Sequence, residues 1–302
     1  MSWSPGPPAR PAALVTPRKL YRVPLPGGRA LDLGARTLLM GILNVTPDSF
    51  ADDVALTDPA LAADAALRME ADGADIIDIG GESTRPGAEP VPEAEELRRV
   101  VPVIERVARH SRVPLSIDTY KAEVARAAID AGAMVVNDIS GLRYDPALGS
   151  VVAAAGAAIV LVHTRGRSRE MYREAVYETL PGDVTRELAA SLDRARAAGI
   201  AADRTIVDPG FGFAKQAGHS FRLLARLWEL AELDRPLLTG VSRKSFLGHA
   251  LGGVPPGDRD WGTAAAVTAA VLMGSHIVRV HAVAPMKQVV RVADEIRLHL
   301  HA

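Results

Sequence analysis

Residues 114–131 read Pro-Leu-Ser-Ile-Asp-Thr-Tyr-Lys-Ala-Glu-Val-Ala-Arg-Ala-Ala-Ile-Asp-Ala. The stretch opens on a short apolar run, Pro114–Ile117. It sets a carboxylate, Asp118, at the end of that run, then passes into Lys121–Ala131, where apolar residues recur at helical spacing. A strand-length run followed by a helix-length pattern is one βα unit. The same rhythm holds from residue 37 onward. Its apolar runs are Thr37–Leu43, Asp75–Ile79, Pro114–Ile117, Met134–Val136, Ala158–Val162, Thr205–Val207, Pro236–Thr239 and Ile277–Val280, with helix-length segments such as Pro92–His110 between them. Strands alternating with helices predict a parallel sheet, either open and doubly wound or closed into a barrel.

The polar residues choose between the two. Every run carries or precedes chemistry: Asn44 after the first, Asp78 with Gly80, Gly81 and Glu82 at the second, then Asp118, Asn137 with Asp138, His163, Asp208, Ser242 with Arg243 and Lys244, and Arg279 with His281. In an open sheet ligands sit at one switch point and only a few strand ends matter. In a barrel all eight C-terminal ends meet at one mouth. The chain is therefore read as α/β, a single (β/α)8 TIM barrel. Lys19–Leu25 and Ala30–Leu33 flank Pro26-Gly27-Gly28-Arg29 and predict an N-terminal β-hairpin ahead of it. Residues 1–18 are rich in proline, lack the apolar core of a signal peptide, and are expected to form a flexible tail. Residues 19–302 are expected to form one barrel domain.

Composition removes whole classes of function. Lys and Arg number 35 and Asp and Glu 36, a net charge of −1, so nothing suggests a nucleic-acid partner. No apolar run approaches the roughly 18 residues of a membrane span, so no membrane role is expected. There is no cysteine, which excludes disulfides and thiolate metal sites and fits a reducing cytoplasm. Histidines do not cluster with other ligands at metal spacing, and the remaining metal option is Mg2+ held by one or two protein oxygens and by substrate phosphates.

Several segments hold candidate site residues. Gly41–Phe50 leaves the first strand with Asn44, whose amide can reach a metal or a phosphate oxygen, although Thr46-Pro47-Asp48-Ser49 also reads as turn chemistry. Asp78–Gly87 holds two glycines that permit close backbone approach and Arg85, which can fork onto a phosphate or simply lie in solvent. Asp118, Asn137, Asp138 and Asp208 each follow a strand. Any one of them can be a helix N-cap. Four strands delivering carboxylate or amide groups to one mouth suit the edge of a flat heterocycle with several N–H donors and ring-nitrogen acceptors. In Phe211-Gly212-Phe213-Ala214-Lys215, Phe213 offers either a wall for an aromatic ligand or a core side chain. Ser242-Arg243-Lys244-Ser245 ends the seventh strand, and Arg279 and His281 are two apart on the eighth and so share a face. An anion between strands 7, 8 and 1 would use this basic set, and ion pairs with the acidic residues are the other reading.

From about residue 37 to 296 the sequence resembles the dihydropteroate synthases. Met40–Phe50, Asp75–Gly87 and Asp208–Lys215 carry the resemblance, and Ser116–Thr119, Asn137–Gly141 and Ser242–Leu247 support it, each at the expected strand end and in the expected order. The resemblance implies that Asp118, Asn137, Asp208 and Lys244 hold a pterin ring. It implies that Asn44 binds Mg2+ and a diphosphate, that Arg85, Arg279 and His281 grip the diphosphate, and that Thr84, Pro86, Phe213, Lys244 and Ser245 shape a p-aminobenzoate site, where sulfonamides compete. Loops near 45–57 and 82–92 would close over the substrates, and the family is usually homodimeric. With Asp78 and Ser242 added from their strand ends, Asp118, Lys244, Arg279 and His281 are the candidate catalytic groups. The chain departs from the family pattern at Ala282 (usually Asp), His163-Thr164-Arg165-Gly166 (a Met-Gln version), Ala51-Asp52-Asp53 and Ala214 (commonly Gly). The alternatives are a pterin-dependent methyltransferase domain, which would not need Ser83–Pro86 or Ser242–Ser245, and a non-catalytic pterin-binding paralogue.

Overall fold

A computed structural model of the chain describes residues 18–46, 58–83, 87–167 and 175–300. The elements run β1 (Tyr21–Pro24), β2 (Ala30–Leu33), β3 (Leu38–Asn44), α1 (Pro59–Asp72), β4 (Ile76–Gly80), α2 (Glu93–Ala108), β5 (Leu115–Asp118), α3 (Ala122–Asp130), β6 (Val135–Asp138), α4 (Leu148–Ala155), β7 (Ala158–Val162), α5 (Gly182–Ala197), β8 (Thr205–Asp208), α6 (Ala217–Ala225), β9 (Leu238–Thr239), α7 (Ser245–Ala250), α8 (Asp260–Leu272), β10 (Ile277–Val280) and α9 (Val283–His299). β3 to β10 form one parallel sheet in the order β8-β7-β6-β5-β4-β3-β10-β9. Its two ends meet: Val207 bridges Leu237, and Val207 N donates to Pro236 O at 3.0 Å. The sheet is thus a closed (β/α)8 barrel with an antiparallel β1–β2 hairpin before it. The seventh strand is the shortest, because only Leu238 and Thr239 of the apolar run Pro236–Thr239 pair as a strand.

Side chains alternate between two faces along each strand. Leu39, Ile77, Ile117, Val136, Ile159, Leu161 and Val207 join the helices in the outer core, while Met40, Ile76, Val135, Val160, Ile206, Leu238 and Ile277 fill the barrel axis. Val23, Leu25, Leu31 and Leu33 of the hairpin pack into that inner cluster and stopper the N-terminal end of the barrel. Arg18, the last residue of the expected tail, is buried, with its guanidinium 2.6 Å from Asp294 on α9. Residues 1–17 lie outside the described residues.

His276 ties the hairpin lead-in to the barrel. Its Nδ1 accepts from Leu237 N at 3.1 Å and its Nε2 lies 3.1 Å from Lys19 O, a pairing that requires the neutral Nε2–H tautomer. Burial pushes its pKa down to about 4. The folded protein therefore takes up this proton only near pH 4, whereas the unfolded chain takes it up near 6.5. Stability from this group is complete above pH 6.5 and is lost as pH falls toward 4, on the order of 3 kcal/mol at the limit. Thermal melts between pH 7 and 4 are expected to show this decline, and His276→Gln should flatten part of it. An equally steep decline in that variant would assign the acid sensitivity to other groups.

Candidate active site

The parity that fills the axis with apolar side chains also fills its C-terminal mouth. Two residues beyond Met40 and Ile42 comes Asn44. Two beyond Ile76 comes Asp78, beyond Ser116 Asp118, beyond Val135 Asn137, beyond Ile206 Asp208, and beyond Ile277 Arg279 and then His281. These residues occupy one pocket floor because the barrel has one inside. The two inward glycines keep it open. A Cβ on Gly80 would stand 3.4 Å from Asp118 Cβ, and one on Gly240 would stand between Asp208 Oδ2 and Arg279 Cβ. Gly81 serves packing instead, since a Cβ there would press on Val100 of α2 at 2.7 Å.

Arg279 is the centre of the charge arrangement. Its Nε donates to Asp78 Oδ2 at 2.6 Å and its Nη2 to Asp118 Oδ2 at 2.8 Å. Asn137 Nδ2 donates to the same Asp78 oxygen at 2.9 Å. Burial pushes the Asp118 pKa up to about 7; Arg279 opposes the rise and Asp78 adds to it. Burial also raises Asp208, whose Oδ1 accepts from Gly210 N at 2.7 Å. Lys244 is pushed by burial down to about 8, with Asp208 opposing. Its Nζ lies 3.8 Å from the centre of the Phe213 ring, a cation–π contact that sets an aromatic wall and an ammonium together at the rim. Ser242 Oγ lies 2.9 Å from His281 Nδ1 and accepts from His281 N at 3.2 Å, so His281 is oriented from the loop after β9 although Ala282 follows it. Ser245 opens α7 and is exposed.

The structure separates neighbours that the sequence groups together. Arg243 forks onto Asp260 of α8 at 2.8 and 2.9 Å from a backbone with φ of 57°, while Lys244 lies over Phe213. Phe211 is fully buried beside Phe246, while Phe213 faces Lys244. Asp138 caps a turn, accepting from Ser140 N and Leu142 N at 2.7 and 2.6 Å, and is no helix N-cap. Thr84, Arg85 and Pro86 lie outside the described residues, as do 47–57 of the first loop.

Two lysines, Lys215 buried and Lys121 partly buried, hold the surrounding loops in place, and the sequence carries no local signal for the pairings they make. Lys215 Nζ contacts Gly210 O and Phe213 O at 3.0 Å and His163 Nδ1 at 2.8 Å. His163 Nε2 faces Glu187 Oε2 of α5 at 3.0 Å. A carboxylate there calls for Nε2–H, which leaves Nδ1 as an acceptor for the lysine. Burial, then the Lys215 charge, pushes His163 down to about 3 and keeps it neutral. Burial lowers Lys215 as well, opposed by Asp208. Lys121 Nζ joins both ends of the second loop, reaching Glu82 Oε2 at 2.7 Å and Val91 O at 2.6 Å, with Glu96 Oε2 at 2.5 Å behind them. Ala214 adopts φ of 49° in the Lys215 loop, a left-handed conformation that costs an alanine about 1 kcal/mol.

Among the described residues no group of three or more His, Asp or Glu is arranged to hold a metal. Asn44, at the end of β3, offers one neutral oxygen there. One such donor fits a hard cation only when phosphate oxygens and water complete the shell.

Four buried polar atoms at or near this mouth lack a partner among the described residues: Asp78 Oδ1, Ser116 Oγ, Asn137 Oδ1 and Thr164 Oγ1. Buried polar groups are almost always paired. Acceptors on β4 and β6, beside the carboxylates of β5 and β8, are the complement of a flat ring edged with N–H groups.

The sequence pattern of the pterin-binding enzymes matches residues 40–281. The chain belongs to that family of pterin-binding barrels. It is 47% identical to the dihydropteroate synthase of Synechocystis over 272 residues, covering 90% of this chain and 94% of the relative. The dihydropteroate synthase of Xanthomonas albilineans, solved with 4-aminobenzoic acid, superposes with a TM-score of 0.84 at 41% identity, covering 92% of this chain and 99% of the other. That of Burkholderia cenocepacia, complexed with 7,8-dihydropteroate, gives 0.83 at 42% identity over 94% and 99%. Within the family, its branch is the dihydropteroate synthases, transferases of folate biosynthesis.

Removing Arg279 would leave Asp78 and Asp118 without the cation that bonds them both. Breaking such a pair costs about 3–5 kcal/mol. Arg279→Met is therefore expected to lower the urea midpoint substantially, and an unchanged midpoint would show that these carboxylates do not depend on the guanidinium.

Proposed function

We propose that this mouth joins 6-hydroxymethyl-7,8-dihydropterin diphosphate to p-aminobenzoate, giving 7,8-dihydropteroate and diphosphate. The unpartnered acceptors beside Asp118, Asn137 and Asp208, next to the Arg279 cation, carry this reading. The pterin edge would be held by Asp118, Asn137, Asp208 and Lys244, with Asp78 behind Asn137 and Arg279. The diphosphate would lie toward Arg279, His281 and Ser242, with Arg85 reaching it from the second loop. p-Aminobenzoate would stand against Phe213, Lys244 and Ser245, with Thr84 and Pro86 on its other side.

In the reaction the bond between the pterin methylene carbon and the diphosphate oxygen breaks, and its electron pair leaves with the oxygen. Cations fixed before the reaction stabilise that charge without rearranging. The methylene carbon becomes cation-like, and the Asp118 carboxylate stabilises it. The amine of p-aminobenzoate then forms the C–N bond and releases one proton. No general base is required before the C–O bond breaks, so the chemistry needs no catalytic triad. Mg2+, held by Asn44 and diphosphate oxygens, would add charge neutralisation on the leaving group. A homodimer is part of the proposal and rests on the resemblance to the dihydropteroate synthases. So is a cytoplasmic location, supported by the absence of cysteine; among the described residues no helix is long and apolar enough to cross a membrane.

A coupled assay with both substrates tests the reading. The unaltered chain is expected to turn over, while Asp118→Ala stays folded and loses activity. Near-normal turnover by that variant would remove Asp118 from the mechanism. Leaving out Mg2+ should lower both rate and diphosphate affinity, and an unchanged rate would count against Asn44 as a metal ligand. The pH profile gives a further test. Asp118 must be ionised, and its pKa is about 7; Lys244 must be protonated, and its pKa is about 8. kcat/KM for the pterin diphosphate is thus expected to rise to a narrow maximum between them, with limbs belonging to the coupled cluster. Asp118→Asn should lose the acid limb. A profile in which that limb persists would assign it elsewhere.

A further inference from the structure

Thr164 follows β7 directly after His163, and the two side chains part company. His163 turns outward to Glu187 on α5 and to Lys215. His163 N donates to Asp208 O at 2.9 Å, continuing the parallel ladder one step past the strand. Alternation then sends Thr164 inward, in line with Ala158, Val160 and Val162 of the barrel axis. Its backbone is fixed there, because its carbonyl accepts from the Arg143 guanidinium. The side chain is buried, with Thr164 only 2% exposed. Its hydroxyl has no partner among the described residues, whereas the hydroxyls of Thr37, Thr185, Thr205, Thr239 and Thr263 are all bonded.

Register places this hydroxyl on the pterin side of the mouth. Val162 pairs with Asp208, and Val160 pairs with Asn137, so Thr164 stands one inward step above the level of Asp208, on the strand between those two residues. We infer that Thr164 is a further substrate contact and specificity determinant, its hydroxyl hydrogen-bonding a polar atom of the dihydropterin ring held by Asn137 and Asp208. The inference rests on the pterin reading of this mouth and adds a residue to it. A hydroxyl in this wall favours a ring with a hydrogen-bonding group facing β7 and disfavours one that presents only C–H there, because a buried hydroxyl left unbonded opposes binding.

The test compares the unaltered chain with Thr164→Val, which keeps the shape and loses the hydroxyl, and with Thr164→Ser, which keeps the hydroxyl. Calorimetry with dihydropterin diphosphate and steady-state kinetics supply the readouts. Thr164→Val is expected to weaken pterin diphosphate binding and raise its KM about 5- to 10-fold, the size of one hydrogen bond, with the KM for p-aminobenzoate unchanged. Thr164→Ser should stay within about twofold of the unaltered chain. Thr164→Ala against Thr164→Ser isolates the same hydroxyl if the valine protein does not fold. Equal binding with and without the hydroxyl, or equal losses in the serine and valine variants, overturns the assignment. Absence of turnover in the unaltered chain would instead sink the parent reading, while binding of the pterin diphosphate that depends on the hydroxyl would still support the contact.

Discussion

One guanidinium organises the mouth of this barrel. Parallel strands closing on a common axis bring Asp78, Asp118 and Asp208 to one end of it, where burial and the neighbouring Asp78 charge raise the pKa of Asp118. Arg279 stands among them, bonded to Asp78 and Asp118 at once. It keeps Asp78 Oδ2 occupied, fixes the side from which Asn137 can approach, and leaves Asp78 Oδ1 and Asn137 Oδ1 buried without a partner among the described residues. The Asp118 pKa near 7 is the residue of this balance, with burial outweighing the ion pair. In the proposed reaction a carboxylate so poised would stabilise a cation at the pterin methylene, since its own charge is only partly satisfied by the protein.

The remaining framework serves that cluster by holding loops still. Lys215 closes the loop after β8 on itself through two carbonyls, and the Glu187–His163 pair behind it fixes which nitrogen can accept. Lys121 does the same for the ends of the second loop. Both lysines sit behind residues proposed to touch substrate, and Lys215 is buried far more than an unpaired ammonium tolerates. Its bonds to carbonyl oxygens meet that cost. The same His163 decides the direction of Thr164, so the outer clamp and the inner wall share one stretch of backbone.

The fold was largely legible because strand and helix periods differ and because the polar residue at the end of each run repeats eight times. The hairpin could be read from Pro26-Gly27-Gly28-Arg29 between two apolar runs. Legibility ended where direction mattered. Arg243 and Lys244 are adjacent basic residues, yet one forks onto Asp260 and the other lies over Phe213. Phe211 and Phe213, Gly80 and Gly81, and Asp138 and Asn137 divide in the same way between core and mouth. Composition is blind to such divisions, since they depend on which side of a strand or turn each residue occupies.

The sequence by itself determined the class of fold, the order of the strand ends and the kinds of group they carry, because all three follow from local periodicity and residue chemistry. Only the tertiary structure decided which groups meet. Barrel closure through Val207 and Leu237 joins β8 to β9, and strand register sets Asp208 level with Val162. Arg279 reaches carboxylates 161 and 201 residues away. Contacts over such separations arise from the packing of the whole chain, and no local pattern encodes them.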